Sequence, residues 1–555
     1  FPYGSGGPHL PWRETPDDGG IPLVREARMY ARFLYGLRSF LRTVVTPEQA
    51  RAAVKQRIER RAEAIVLMAE RGFYGVPNSP YRELLRLAGC ELADFRTSVR
   101  DKGVEGTLQV LREAGVYFSF EEFKGRAALV RHGREIPLSP SQFDNPYLAH
   151  YHGTTSGGTT GPATRISTDL EHLAIQAEHR LLCLDAHGVL DVPFALWRPP
   201  LPSGSGINTV LRAARMGRPA ARWFTPLTHS DFRPSLKFRL ANAATVATGR
   251  ALGFRLPWPE PVALDDAGRI ASWLVEARDK HGGAVLNTTV SGGLRIALSA
   301  KQAVLDLSGT HFMLAGEPAT PAKVQAIRES GATLFTDYGA AETGRIGIGC
   351  ARGLDASDVH LMLDAVAVIA WPRTVPDTDE SITSFHVTTL HPAAAKLLLN
   401  VELDDFGVLE TRACGCSLGE LGLTSHLREI RSFSKLVGEG VSLLGSEMVQ
   451  VLEQTLPARF GGSALDYQLV EEEDQDGFTR LTLIVSPSVN LPSEADAIDA
   501  LLGALKASSA AADVARAFWQ HGRTFRVRRA APYVTSRGKQ LPLHSLRRLS
   551  RSAVQ

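Results

Sequence analysis

Thr154-Thr155-Ser156-Gly157-Gly158-Thr159-Thr160-Gly161-Pro162-Ala163-Thr164-Arg165 sets three glycines and six hydroxyl side chains within twelve residues. That composition suits the interior of neither helix nor strand. It does suit a loop whose backbone N–H groups and hydroxyls close around an anion, above all a phosphate. Immediately downstream, Thr168-Asp169-Leu170-Glu171 reads as a capping box opening a helix that carries Leu173, Ile175 and Leu181. The loop is therefore expected near a helix N-terminus, where anions bind. A solvated Ser/Thr/Gly linker has the same composition, so this stretch alone leaves both readings open.

The chain around it has 555 residues, too many for one ordinary core, and length alone calls for two or more domains. A hydrophobic content of 44% and a charged content of 22% describe a globular protein. The formal net charge of +3 is nearly balanced and gives no nucleic-acid signature. No run approaches the ~18 to 20 uncharged apolar residues of a membrane span. The start, Phe1-Pro2-Tyr3-Gly4, lacks the basic and apolar regions of a secretory signal, and Phe as first residue suggests that the numbering begins inside a longer product. The expectation is a cytoplasmic protein with small-molecule partners and neither nucleic acid nor membrane. Five scattered cysteines are too few for a disulfide framework; only Cys414 and Cys416 form a pattern.

The front section reads as mostly helical. Met29, Phe33, Leu34, Leu37 and Leu41 recur at helical spacing between arginines over Glu26 to Arg42, the pattern of a helix packed on its own domain or laid on a membrane surface. Thr46-Pro47 is a cap and first-turn pair for a second helix through the sixties, and Tyr81 to Leu92 and Thr107 to Ala114 read as short helices. After the glycine-rich stretch, apolar runs at Pro193 to Trp197, Ala284 to Leu286, Phe312 to Ala315 and Leu334-Phe335 alternate with helical patterns, an α/β rhythm. One helix starts after Thr320 with Pro321 in its first turn and ends at Gly331. Thr333 to Gly344 reads as a strand delivering Asp337 and Tyr338 to its carboxyl end, where open α/β sheets bind ligands. A flat aromatic, a glycine and the Glu342 carboxylate there could serve a nucleotide base and a magnesium ion; an ordinary strand exit reads the same way. Asp404-Asp405-Phe406-Gly407 reads as a turn. Tyr467 to Val470 and Leu481 to Val485 read as strands paired across Asp474 to Gly477, a helix follows Ser493, and Phe525 to Val527 is a third strand.

In order and spacing these segments resemble the adenylate-forming superfamily of acyl-CoA synthetases, peptide-synthetase adenylation domains and firefly luciferase, in its phenylacetate-CoA ligase-like branch. Ser156-Gly157-Gly158-Thr159-Thr160-Gly161 resembles its phosphate loop, and Ala315-Gly316-Glu317-Pro318 its Gly-Glu-Pro adenine segment. Asp337-Tyr338-Gly339 with Glu342 resembles its Tyr-Gly-x-x-Glu motif. Asp405 is similar to its ribose-binding aspartate, with Asp404 as the alternative register. Arg431, followed by Gly440-Val441, resembles its hinge region, and Gly538-Lys539 the Gly-Lys of its mobile C-terminal domain. The likeness runs from Asn145 to Leu541. It implies an α/β large N-terminal domain with a helical N-terminal section (1–144, then an adenylation core over 145–430), plus a small α+β C-terminal domain (431–555) joined by a hinge.

The resemblance implies an ATP- and Mg²⁺-dependent ligase that activates a carboxylic acid, aromatic by branch, as an acyl-adenylate and passes it to CoA. Thr159, Thr160 and the loop amides would hold the phosphates, Glu342 the Mg²⁺, and Lys539 would reach the carboxylate and α-phosphate as charge passes between them. The chain departs from the pattern at Pro162, where the family commonly has lysine and where Arg165 is the nearby cation, and at Ile430 and Ser434 of the hinge. These departures keep two alternatives open: transfer to an amine, a small inorganic nucleophile or a protein thiol, and a non-catalytic nucleotide-binding paralogue. Members of the branch also combine a Cys-x-Cys with an upstream cysteine and histidine. Cys350 and His360 with Cys414 and Cys416 would make a closed, structural Zn²⁺ site; reduced thiols and a surface histidine are the alternative. Ser203 to Asn208, Ser291 to Gly293 and Ala340-Ala341 are candidate walls for the acid, and the helical front section is expected to cover that pocket or to mediate a homodimer.

Overall fold

Six short strands, the central ones apolar on both faces, pair in parallel, with helices covering each side. They are Phe194–Trp197 (β1), Arg222–Thr225 (β2), Pro259–Pro261 (β3), Ala284–Thr288 (β4), Thr310–Ala315 (β5) and Thr333–Ala340 (β6), in the spatial order β3-β2-β1-β4-β5-β6. Beyond β6 the sheet turns antiparallel. Gly344–Gly349 (β7), Val359–Leu361 (β8), Val366–Thr374 (β9), Ser381–Thr389 (β10), Val401–Thr411 (β11) and Ser425–Ser432 (β12) follow in the order β7-β8-β12-β11-β10-β9. The computed structural model describes residues 22–155, 165–226, 235–374, 381–432, 435–438, 441–444, 448–449, 451–504, 519–533 and 542–545. Among the described residues these strands make one twelve-stranded sheet. Ser156, Gly157, Gly158, Thr159, Thr160, Gly161, Pro162, Ser434, Gly440, Gly538 and Lys539 lie outside the described residues.

One face of the parallel half is covered by Leu170–Ala186 (α1) and Gly204–Arg215 (α2), the other by helices that include Val290–Gln302 (α3) and Pro321–Glu329 (α4). Helix Pro22–Arg42 packs on the first of these layers through Phe33, Leu37, Phe40 and Leu41, all buried, each contributing roughly 1.5–3 kcal/mol by leaving water. The helix thus covers its own protein, and no helix of the described residues is long and apolar enough to cross a membrane. Thr46 caps Pro47–Glu59 through a capping box with Gln49. Helices over Arg61–Met68, Tyr81–Leu87 and Leu92–Glu113 pack against the antiparallel half, with Tyr81, Phe118 and Phe143 edge to face beneath it. A C-terminal mixed sheet, Tyr467–Glu473 (β13), Thr479–Val485 (β14), Phe525–Arg529 (β15) and Leu543–Ser545 (β16), has its own core around Leu452, Leu456, Leu469, Leu483 and Trp519.

Three local expectations are corrected. The cap of α1 is Asp169, not Thr168, which lies in a strand: Asp169 Oδ1 accepts the Glu171 amide at 2.8 Å while Oδ2 accepts those of Ala149 and His150 at 3.0 and 2.9 Å. A carboxylate has acceptor capacity for both the helix and the loop before it. Asp404 to Gly407 is no turn but part of β11, distorted by a positive φ of 71° at Asp404 and a register shift between Phe406 and Val408. Thr107 to Ala114 belongs to a longer helical stretch that breaks at Gly103, whose φ of 71° only glycine adopts freely.

Candidate functional site

Successive residues of a strand point to opposite faces, and β6 uses this to divide its two polar residues. Tyr338 faces the antiparallel half, where its hydroxyl donates to Asp405 Oδ2 at 2.8 Å, while Ser432 donates to Asp405 Oδ1 at 2.7 Å. Burial, then the charges of Asp405, Asp404 and Glu342, hold the Tyr338 phenol well above its ordinary pKa, so it remains a donor. Glu342, just past β6, is buried against Lys124, whose Nζ lies 2.7 Å from its carboxylate. Gly339 is required: a Cβ there would stand 2.6 Å from the Gly344 carbonyl oxygen. Tyr338, Asp405, Asp404 and Glu342 therefore meet in one place. Arg431 is exposed on β12, opposite Phe406.

Gly316, with φ 92°, turns the chain after β5 and delivers Glu317 to the N-terminus of α3. There Glu317 accepts the Ser291 amide at 3.1 Å and its hydroxyl at 2.5 Å, where a helix dipole favours negative charge. Lys323 Nζ lies 3.5 Å from Glu317 and donates to Thr479 of the C-terminal sheet at 2.8 Å. Asp337 faces the other side of β6, buried between Arg180 Nη2 at 2.7 Å and Arg345 Nη1 at 2.5 Å. Its side chain is thus directed away from Tyr338. Sequence reading missed Lys124, Ser432, Arg180 and Arg345. Only Arg180 carried a signal: with His172 and Gln176 it makes a polar stripe at four-residue spacing along the otherwise leucine-rich α1.

The four thiol and imidazole groups singled out by sequence do converge: the ligand atoms of Cys350, His360, Cys414 and Cys416 all lie within 4.8 Å of one another. His360 Nε2 is 3.1 Å from Cys416 Sγ and 3.7 Å from Cys414 Sγ, and the two sulfurs are 3.4 Å apart. Ligand atoms on a tetrahedral ion with Zn–S near 2.3 Å stand about 3.8 Å apart, so a small expansion admits Zn²⁺. His360 Nδ1 lies 2.6 Å from the Leu423 carbonyl; donating there fixes the tautomer whose Nε2 lone pair faces the sulfurs. Gly415, with φ 73°, turns the chain between the two cysteines, and a Cβ at Gly419 would approach Cys414 Sγ to 3.0 Å. Hydrogen bonding from Cys350, and after it from His360 and the Gly419 amide, holds the Cys416 thiol well below its ordinary pKa against the effect of burial. His426 stands beside this group, its ring 4.2 Å from that of His360 and its Nδ1 2.7 Å from Asp358.

The fold has a solved counterpart. A 2-hydroxyisobutyryl-CoA ligase, crystallised with 2-HIB-AMP and CoA in its thioesterification state, aligns over 92% of this chain and 93% of its own at 15% identity and a TM-score of 0.52. The chain has the fold of that ligase. The same ligase in its postadenylation state with R3-HIB-AMP aligns over 92% of each chain at a TM-score of 0.44 and 15% identity. No family model matches the chain. By sequence, 239 residues, 38% of the chain, are 26% identical to the major viral transcription factor ICP4 homolog of varicella-zoster virus, and the match spans 18% of that protein. In the ligase fold shared with the first of these structures, Asn287, Glu317 and Asp337 stand at or just beyond the carboxyl ends of parallel strands, the side on which open α/β sheets bind ligands.

Proposed function

We propose that the chain is an AMP-forming ligase of the adenylate-forming superfamily, phenylacetate-CoA ligase-like, which activates a carboxylic acid with ATP and transfers it to CoA. The observation that carries this reading is the convergence of Tyr338, Asp405 and Glu342 where the end of β6 meets the middle of β11, in a ligase fold and in the order the sequence resemblance assigns them. In this reading Tyr338 packs the adenine, and Glu317 at the start of α3 meets its edge. Asp405 holds the ribose hydroxyls with acceptor capacity left beyond Tyr338 and Ser432. Ser156 to Gly161 cradle the phosphates, and Arg431 and the small C-terminal domain that follows close over them. Glu342, paired with Lys124, would hold Mg²⁺, which when bound would neutralise phosphate charge.

The chemical obstacle is repulsion between two anions. One carboxylate oxygen of the acid attacks the α-phosphorus, the bond to the β-phosphate oxygen breaks, and pyrophosphate leaves with the electron pair. Lys539 is assigned the role of stabilising both reacting groups as charge moves from one to the other. The Cys350, His360, Cys414 and Cys416 group is assigned a structural Zn²⁺ with no open position, which ties the segment after β7 to that before β12. ATP–pyrophosphate exchange over a panel of carboxylic acids, followed by AMP release with and without CoA, tests the reading. Exchange with at least one acid and AMP release accelerated by CoA are expected. Exchange without a CoA effect would move the acceptor to an amine or a protein thiol; ATP binding without exchange for any acid would leave a nucleotide-binding paralogue.

A further inference from the structure

Four guanidiniums converge on the face of β6 that carries Asp337: Arg180 from α1, Arg198 just past β1, Arg212 from α2 and Arg345 from β7. Two of them share one carboxylate oxygen, Asp337 Oδ2, at 2.7 and 2.5 Å. The other two meet only neutral partners among the described residues. Arg212 donates to Gln176 Oε1 and Thr209 Oγ1, both at 2.7 Å, and Arg198 donates to Asn287 Oδ1 at 3.2 Å and to the Thr288 carbonyl. Among the described residues, Arg212 Nε and Arg345 Nε are buried with no hydrogen-bond partner, as are both ring nitrogens of His172. Burial first, then repulsion from Arg345 and Arg180, pushes Arg212 well below the ordinary guanidinium range; burial and Arg180 push Arg198 down to about 10.

A second carboxylate, Glu317, acts on Arg198 but is shared with Ser291 and Lys323. Elsewhere Arg57 has Glu178 at 2.7 Å and Asp364 at 2.9 Å, and Arg131 has Glu122 at 2.7 Å, whereas Arg112 and Arg215 are lowered by burial as Arg212 is. An arginine group left with excess charge inside a fold is costly, and its natural complement is an anion supplied from outside. The place fits: Asn287, Thr288 and Asp337 lie at the carboxyl ends of strands, and the start of α2 touches the hairpin that carries the glycine-rich stretch, Gly204 standing against Thr154.

Resting on the acid-activating reading above, we infer that the acid bears a second anionic group, which this arginine group receives, and that the substrate class is dicarboxylates. One carboxylate forms the bond to the α-phosphorus and releases pyrophosphate; the other stays ionised between Arg212, Arg198 and Arg345 and is chemically unchanged. The charge pattern does not set the spacer, and an aromatic ring between the two carboxylates is compatible with the branch resemblance.

Acids matched in skeleton test this in ATP–pyrophosphate exchange: benzoate against terephthalate and isophthalate, butanoate against pentanedioate. The dianionic member is expected to have a kcat/KM higher by about 10²-fold or more, the discrimination of a site whose polar groups would otherwise stay unpaired. Arg212→Met is expected to remove that preference through the KM of the dianion, leaving the KM of ATP unchanged. A preference for the monoanions overturns the inference. So does an Arg212→Met effect that raises the KM of ATP alike for every acid, which would assign the arginines to the triphosphate. Thermal denaturation supplies an independent arm: at millimolar concentration a dicarboxylate is expected to raise the melting temperature of the wild type but not of Arg212→Met, and no rise with any dianion overturns the inference. Exchange absent with every acid, alongside a dianion-dependent rise in melting temperature, would instead refute the ligase reading and leave the anion site standing.

Discussion

Asp405 is the residue on which the candidate nucleotide site turns, because both its oxygens are engaged by donors from other strands, Tyr338 at 2.8 Å and Ser432 at 2.7 Å. Tyr338→Phe removes one donor and leaves the carboxylate its other bond, so a loss of about 1 kcal/mol is expected in urea denaturation. Asp405→Ala leaves two buried hydroxyls without this acceptor and is expected to cost roughly 1–3 kcal/mol in the same measurement. Lys539→Ala should reduce pyrophosphate exchange by about 10² to 10³-fold with an unchanged melting temperature, the scale of a donor that acts on developing charge. Full exchange activity would remove Lys539 from its assigned role. Tyr338, Glu342 and Asp405 were legible because motif order singled them out. Lys124 and Ser432 were not, since a lone lysine after Phe123 and a serine near a strand end carry no periodicity, and only long-range pairing brings them in.

The Cys414-Gly415-Cys416 turn joins the segment before β12 to the one after β7, so its metal state should act on stability more than on chemistry. Stoichiometric zinc is expected in the purified protein, and Cys414→Ala or prolonged treatment with a chelator should lower the melting temperature while any residual folded protein keeps its KM for ATP. Metal analysis without zinc in active protein would assign the four side chains to a reduced core. Four of the six parallel strands, β1, β4, β5 and β6, were legible as apolar runs and the α4 helix from Pro321 and Gly331, because local chemistry fixes them; β2, which opens on an arginine, and β3, Pro259-Glu260-Pro261, were not. Asp404 to Gly407 was misread for the converse reason. Two aspartates before a glycine are turn residues by local preference, yet pairing with Arg431 and Ser432 holds them in a distorted strand. Of the arginines around Asp337 only Arg180 carried a signal, since the four come from separate parts of the chain.

Across the whole molecule, buried neutral histidines set the acid limit of stability. Burial, opposed by Asn208, lowers His152 to about 4; burial with repulsion from His179 lowers His172 to about 4; burial with repulsion from Arg112 lowers His386 to about 3. The unfolded chain binds these protons near pH 6.5 and the folded one does not, so stability is full above that pH and is lost as pH falls toward the folded values. Forcing these rings to charge costs up to about 3 kcal/mol each for His152 and His172 and up to about 5 kcal/mol for His386, at 1.36 kcal/mol per pKa unit. The urea midpoint is expected to fall between pH 6.5 and 4, ahead of carboxylate titration, and His152→Gln should flatten that slope. An unchanged midpoint across this range would show that the three rings charge without penalty.

The hydroxyl of Tyr81 donates to the carbonyl of Leu397 at 3.1 Å and accepts the amide of Leu399 at 2.9 Å, across 316 and 318 positions of chain. During synthesis from the N-terminus, the helices around Tyr81 must wait, with Tyr81, Phe118 and Phe143 uncovered, until the segment around Leu397 has emerged. The parallel strands, complete by residue 340, can assemble earlier. Folding of the helical section that packs under the antiparallel strands is therefore expected to be late and slow, and the residues around Tyr81, Phe118 and Phe143 are those most in need of shelter on the way.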